Sequence, residues 1–98
     1  MKNKNFDFNL ATELNLTMEN EKNVYDQEGF LGKNYARKWK KSKFDFAKAQ
    51  KGVNNLIVTP FARKYQNEWG VKVPNEVRSA VAKARMRAIM RRIREGEY

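Results

Sequence analysis

Residues 75–95 read NEVRSAVAKARMRAIMRRIRE, and this stretch says most about the fold. Strong helix formers fill it, and at about 100° of rotation per residue its apolar side chains form two stripes on nearly opposite sides. The first stripe consists of Val77, Val81, Ala84 and Ala88. The second consists of Ala82, Met86, Ile89, Met90 and Ile93. The pattern predicts one long helix over residues 75–95 with apolar contacts on two sides.

Basic residues fill the two seams between these stripes. One seam holds Arg78, Arg85 and Arg92, and the other holds Lys83, Arg87, Arg91 and Arg94. A helix with one stripe packs on its own domain, whereas two stripes and two cationic seams suit a helix that lies between protein and a polyanion. Arginine forks contact phosphates bidentately and stack on exposed bases. We therefore expect the seven cations to bind RNA, and Met86, Ile89, Met90 and Ile93 to contact a neighbouring protein.

Size and composition narrow the possible classes of protein. Ninety-eight residues make one domain at most, and 41% apolar residues are too many for a wholly disordered chain. The net charge of +10 implies an anionic partner, either nucleic acid or an anionic membrane surface. The chain contains no cysteine and no histidine, which excludes disulfides and removes the commonest metal ligand and general base. No run approaches the ~18 apolar residues of a membrane span.

The first 30 residues differ in charge from the rest of the chain. They hold three basic and six acidic residues, a net charge of −3, whereas residues 31–98 hold 18 basic and five acidic residues, a net charge of +13. Apolar residues alternate with polar ones around Phe6 and Phe8, which indicates an extended arm or edge strand. We therefore expect two regions: an acidic, asparagine-rich extended arm over residues 1–30 that docks on a partner through Phe6 and Phe8, and a basic helical RNA-binding domain over residues 31–98.

Two further helices are predicted within the basic region, so the fold class is mainly α. The first spans about residues 31–51, with a core-facing stripe of Leu31, Tyr35, Trp39, Phe46 and Ala49 and a kink or break near Ser42. The second spans about residues 60–69, begins at Thr59-Pro60, carries an aromatic core stripe of Phe61, Tyr65 and Trp69, and ends at Gly70. Residues 55–59 (NLIVT) form either a short extended segment or the lead-in to that helix, and residues 71–74 form a stiff extended connector.

Two more basic groups join the last helix as candidate RNA contacts. The first group is Lys38, Lys40, Lys41 and Lys43, which lie beside Trp39 and Phe44, and the second is the pair Arg63 and Lys64. Catalysis is not expected, because the chain lacks a glycine-rich phosphate loop, a cysteine or histidine nucleophile pair and a histidine-based metal site. We expect no metal, no cofactor and no small-molecule substrate.

Residues 79–90, SAVAKARMRAIM, resemble the closing helix of the eighteenth small-subunit ribosomal protein of bacteria and mitochondria. Seven residues fall on matching or similar positions of that helix: Ala80, Val81, Ala84, Arg85, Ala88, Ile89 and Met90. The connector after Gly70 is similar to that family's Gly-Lys-Ile-Leu-Pro turn, but the family's arginine-rich Thr-Gly turn and Gln-Arg pair are missing after Pro74. The resemblance implies ribosomal RNA binding, with an apolar face against a neighbouring ribosomal protein.

The sequence thus predicts a non-catalytic RNA-binding protein, a structural component of a small ribosomal subunit. It would lie inside the cell, ribosome-associated, in the cytoplasm or the mitochondrial matrix, since its N-terminus has no apolar signal core. One alternative is a small regulatory or inhibitory protein, such as a phage-encoded factor, that binds nucleic acid or an acidic enzyme. A second is a membrane-surface or calmodulin-like target, because residues 77–94 form a basic helix with Met and Ile on one face.

Overall fold

The computed structural model describes residues 6–98, and within that range it is helical, with no strand. The elements in chain order are α1 (Phe8–Glu19), α2 (Lys22–Lys40), α3 (Phe46–Val53), a π-helical turn (Asn54–Val58), α4 (Thr59–Trp69) and α5 (Asn75–Arg94). The segments from Phe46 to Trp69 follow one another without interruption and form one rod. Helices make up 81% of the described residues, which confirms the mainly α fold.

Helix α5 lies at the centre of the bundle and packs against α1, α2, α3 and the π turn. Its predicted span is confirmed to within a residue at its C-terminal end. Val77 and Val81 of the first stripe are buried, and so are Ala82, Met86, Ile89 and Met90 of the second. The prediction that the second stripe faces a neighbouring protein is therefore wrong, because helices of the same chain cover both sides of α5.

The predicted extended arm is helical from Phe8 onward, and its first five residues lie outside the described range. The Asp7 carboxylate caps α1 by accepting a hydrogen bond of 3.0 Å from the backbone N–H of Leu10. Leu10, Leu14 and Met18 recur every four residues, and Leu14 and Met18 are each only 1% exposed. The apolar residues of this segment fit both the alternation of a strand and the four-residue spacing of a helix. Packing against α5 favours the helix.

Helix α2 begins at Lys22, well before the predicted start at residue 31. Its inner face contains Val24, Glu28 and Gly32, spaced four residues apart. Glu28 is fully buried. A charged residue at this position interrupts the apolar periodicity, so the sequence pattern does not predict a helix here. The predicted helix over residues 31–51 is two helices, because α2 ends at Lys40 and α3 begins at Phe46. The expected break near Ser42 is confirmed.

The rod from Phe46 to Trp69 contains a widened turn just before Pro60. The backbone N–H of Thr59 donates to the carbonyl of Asn54, five residues back. Proline has no N–H and its ring clashes with the carbonyl four residues earlier, so the hydrogen-bond ladder must change near this position. The predicted helix over about residues 60–69 agrees with α4, but Thr59 does not cap a free helix end, because the residues before it are already helical. Residues 55–59 are therefore the lead-in to this helix and not an extended segment. Gly70, with φ of 67°, ends α4 as predicted.

A buried ion pair joins α2 to α5. Arg85 and Glu28 are 1% and 0% exposed, and the guanidinium donates from Nε and Nη2 to the two carboxylate oxygens at 2.7 and 2.8 Å. Arg85 Nη1 also donates to Asn15 and Glu19 of α1, at 3.1 and 3.2 Å. Burial alone would lower the pKa of Arg85, but the hydrogen bonds and charge of Glu28 raise it above its ordinary value. Arg85 therefore stays charged and connects three helices.

Every acidic residue of the first 30 has a partner within the fold. Their partners are the Leu10 N–H for Asp7, Tyr65 for Glu13, Arg85 for Glu19, Lys64 for Glu21, Lys22 for Asp26, and Arg85 with Arg92 for Glu28. The acidic segment thus supplies internal countercharge and helix capping. It folds back on the basic region, so the prediction of a separate docking arm is wrong.

Replacing Arg85 with methionine tests how much the buried ion pair contributes to the free energy of unfolding. The substitution keeps most of the side-chain length but leaves the Glu28 carboxylate without its main partner, so the free energy of unfolding should fall by about 3–5 kcal/mol. Lys83→Met on the exposed face of α5 is the control and should change it by less than about 0.5 kcal/mol. Urea unfolding followed by circular dichroism measures both. Equal stabilities of the two variants would contradict the central role of the pair.

Tyrosine ionisation should destabilise the fold at alkaline pH. Burial raises the pKa of Tyr35 above its ordinary value of 10.0, and a hydrogen bond to Glu13 raises that of Tyr65. A raised folded-state pKa means that the folded chain keeps protons which the unfolded chain loses. This stabilisation is complete below about pH 10 and is lost as the pH rises through the folded-state values. Urea midpoints at pH 8 and pH 11 should therefore differ, and Tyr35→Phe should reduce the difference.

Candidate nucleic-acid interface

The outward face of α5 carries a row of four exposed cations. We call Lys83, Arg87, Arg91 and Arg94 the α5 row, and all four are exposed. They lie four, four and three residues apart, so at 1.5 Å per residue they extend over about 16 Å of one helix face. No ion pair to a carboxylate within residues 6–98 occupies any of them. This row can therefore contact a polyanion without first breaking an internal contact.

The arginines of the opposite seam of α5, Arg78, Arg85 and Arg92, form contacts within the fold. Arg85 is buried against Glu28, and the half-buried Arg92 donates to Glu28 Oε1 at 3.1 Å and lies 4.7 Å above the ring of Tyr25. The half-buried Arg78 donates to the side-chain oxygen of Asn75. The prediction that Arg85 contacts RNA is wrong, because its donors are used inside the bundle. Arg92 is less available for RNA contact for the same reason.

A second exposed basic group surrounds the turn between α2 and α3. We call Lys38, Lys40, Lys41, Lys43 and Lys48 the lysine cluster, and all five are exposed. Ser42 adopts a left-handed conformation with φ of 56°, and the Lys43 N–H donates to the Lys38 carbonyl at 2.8 Å. This closure holds Lys38 and Lys43 on the same turn. Four of the five lysines are those that the sequence predicts, and the fold adds Lys48.

Aromatic rings lie among these lysines. Phe44 is half-buried, and its ring centroid lies 5.7 Å from those of both Tyr35 and Trp39. Trp39 and Phe46 are 51% and 45% exposed. The prediction that they belong to the core is wrong for both, because α2 ends one residue after Trp39 and Phe46 is the first residue of α3. Tyr35 and Ala49, from the same predicted stripe, are buried as expected.

A cleft of about 290 Å³ opens between the end of α2 and the start of α3. We call it the lysine cleft, and its lining residues are Tyr35, Lys38, Lys43, Phe44, Asp45, Lys48 and Ala49. The Asp45 carboxylate accepts a hydrogen bond of 3.2 Å from the backbone N–H of Lys48, as the N-cap of α3. No carboxylate of the described residues forms an ion pair with the three lysines. The cleft thus combines aromatic surface with excess positive charge.

The pair on α4 is a weaker candidate than the other two groups. Arg63 and Lys64 are exposed, but Lys64 Nζ already lies 3.9 Å from the Glu21 carboxylate. Of the aromatic stripe predicted for this helix, Tyr65 is buried and Phe61 packs against the core, whereas Trp69 is 69% exposed. Trp69 was wrongly predicted as a core residue because the helix ends there.

Most of the residues predicted to bind a neighbouring protein lie in the core. Met86 and Ile89 are fully buried, Met90 is 6% exposed and Ile93 packs against the core. Phe6 also packs against the core, while Phe8 is 75% exposed. The same burial removes the basis for a membrane-surface helix over residues 77–94, since its Met and Ile face is not available.

Within residues 6–98, no group of three or more acidic side chains is arranged to hold a metal ion. No helix in that range is long and apolar enough to cross a bilayer. The arrangement of the exposed groups suits phosphate contacts and aromatic stacking.

Comparison with known proteins gives no relative: no protein-family model matches the chain, and no curated protein or solved structure is significantly similar to it.

The turn that orders the lysine cluster should respond to substitution at Ser42. A left-handed conformation costs a non-glycine residue about 1–2 kcal/mol, so Ser42→Gly should stabilise the protein by up to about 1 kcal/mol after the greater chain entropy of glycine is counted. Ser42→Val should destabilise it, because a β-branched side chain tolerates this conformation least. Thermal unfolding measures both variants. A lower Tm for Ser42→Gly than for the parent would contradict the turn geometry.

Proposed function

We propose that this protein is a non-catalytic RNA-binding domain that contacts phosphates through the α5 row and the lysine cluster. One observation carries the proposal: the nine cations of these two surfaces form no ion pair with a carboxylate of residues 6–98, while every acid of the first 30 residues is used within the fold. Solubility alone does not require two uncompensated cationic surfaces, and close like charges repel one another. Phosphates would relieve that repulsion.

Arginine in the α5 row supports RNA over other polyanions. Arg87, Arg91 and Arg94 can each make forked contacts to phosphate and stack on exposed bases, which lysine cannot do. The lysine cluster adds point charges beside exposed aromatic rings, and aromatic rings beside cations are typical of proteins that bind single-stranded nucleic acid.

Two narrower proposals fit this domain. A structural role in a small ribosomal subunit is supported by the resemblance of residues 79–90, although Arg85 and the Met and Ile residues serve the core here. A regulatory protein that binds nucleic acid or an acidic enzyme is supported by the bundle itself, whose apolar stripes are buried without a partner chain. Sedimentation of ribosomal subunits after a high-salt wash separates them, because a structural component stays bound and a regulator is released.

Salt dependence of RNA binding tests the domain-level proposal. Each phosphate contact on single-stranded RNA contributes about −0.7 to the slope of log K against log salt, so six to eight contacts give about −4 to −6. Changing Lys83, Arg87, Arg91 and Arg94 to glutamine should make the slope shallower by about 3. The same change at Lys38, Lys40, Lys41 and Lys43 should have a similar effect.

The matched control removes four exposed charges elsewhere, at Lys22, Lys33, Lys51 and Lys72. None of these residues belongs to the α5 row, the lysine cluster or the α4 pair, so this variant should keep most of the slope. If the control loses as much as the other two variants, binding reflects net charge and the two surfaces are not the interface. A parent slope shallower than about −1.5, or stronger binding to anionic vesicles than to RNA, would reject RNA binding itself.

A further inference from the structure

We propose that the lysine cleft holds one unpaired nucleotide, with its base against Phe44 and Trp39 and its phosphates on Lys38, Lys43 and Lys48. This inference rests on the proposed RNA binding and adds to it a preference for single-stranded over double-stranded RNA. The first support is size. A cleft of about 290 Å³ is at the small end of ligand sites, so it suits a single nucleotide and is too small for a base pair.

Charge in the cleft matches a phosphate group. Three lysines line it together with one carboxylate, that of Asp45. That carboxylate is held by the backbone at the start of α3, where it accepts the Lys48 N–H. It offsets one of the three ammonium charges, so the cleft keeps an excess of two positive charges (3 − 1), which one or two phosphates would balance.

The aromatic rings of the cleft offer a surface for stacking a base, which a site for phosphate alone does not require. Phe44 lines the cleft, and Trp39 lies 5.7 Å from it, centroid to centroid, at an interplanar angle of 55°. Half of the Trp39 surface remains exposed, although burying an indole is strongly favourable in water. A base stacked at this position would cover that surface. In a duplex the faces of the bases are already covered by their neighbours, so only an unpaired base can bind in this way.

The Tyr35 hydroxyl fixes the floor of the cleft. It donates to the Ala49 carbonyl at 3.0 Å and so ties α2 to α3. Gly52 makes room for this contact, since a Cβ at that position would lie 2.9 Å from the hydroxyl oxygen. The distance between the two walls is therefore set by buried contacts, and the cleft exists before any ligand binds.

Competition between three ligands tests the proposal: a single-stranded oligouridylate, an RNA duplex, and inorganic polyphosphate, which has no bases. A purely electrostatic surface binds the duplex at least as well as the single strand, because the duplex has the higher charge density. A stacking cleft should instead favour the single strand over both other ligands by about tenfold, equivalent to about 1.4 kcal/mol.

Trp39→Leu should abolish this preference while leaving polyphosphate binding within about twofold. Trp69→Leu is the matched control, because Trp69 is a similarly exposed tryptophan on α4, and it should change neither affinity. Phe44→Leu should act like Trp39→Leu, and its thermal melt checks that the fold is intact. The exposed position of Trp39 keeps the test valid even if the Phe44 variant unfolds.

Fluorescence of Trp39, whose ring lies beside Phe44 of the cleft, reports binding there. The chain has two tryptophans, so in the Trp69→Leu protein all indole emission comes from Trp39. The oligouridylate should quench it and polyphosphate should not. Equal binding of all three ligands with unchanged Trp39 emission would overturn the nucleotide site and leave the proposed function standing. No binding to any of them would reject both.

Discussion

Glu28 and Arg85 meet in the middle of the bundle, and neither could remain there alone. An unpaired charge in an apolar interior is strongly destabilising, whereas a bidentate pair whose guanidinium nitrogens all donate hydrogen bonds is tolerated. Because Arg85 also contacts Asn15 and Glu19, its guanidinium fixes α1 and α2 relative to α5. The acidic N-terminal segment is held against the basic helix by this interaction, and the apolar stripes of α5 are covered as a result.

The position of Arg85 also decides which cations remain at the surface. Two residues along a helix correspond to about 200° of rotation, so Lys83 and Arg87 must point away from the core once Arg85 points into it. Arg91 and Arg94 continue the same outward face. The internal pair and the external row are therefore two consequences of one helix orientation. Nucleic-acid contact through α5 is compatible with the fold only on the side away from Glu28.

The two cationic surfaces differ in their chemistry. The α5 row is a regular series on a rigid helix, dominated by arginine, and it suits successive phosphates. The lysine cluster is arranged around a turn in which Ser42 is left-handed, and it surrounds aromatic rings that the core does not bury. Phosphate contacts require cations and hydrogen-bond donors, and exposed aromatic rings add nothing to them. In the RNA binding that we propose, the α5 row would contact the backbone and the lysine cluster an unpaired base.

The sequence by itself determined the helix over residues 75–95, the break near Ser42, the end of α4 at Gly70 and the excess of positive charge, because each follows from local periodicity, backbone preference or composition. Tertiary structure decided the rest. Leu10, Leu14 and Met18 fit a helical period and part of an alternating one, and only packing on α5 distinguished them. The charges of Glu28 and Arg85 resembled those of surface residues, since nothing local reveals that two residues 57 positions apart will neutralise each other inside the core.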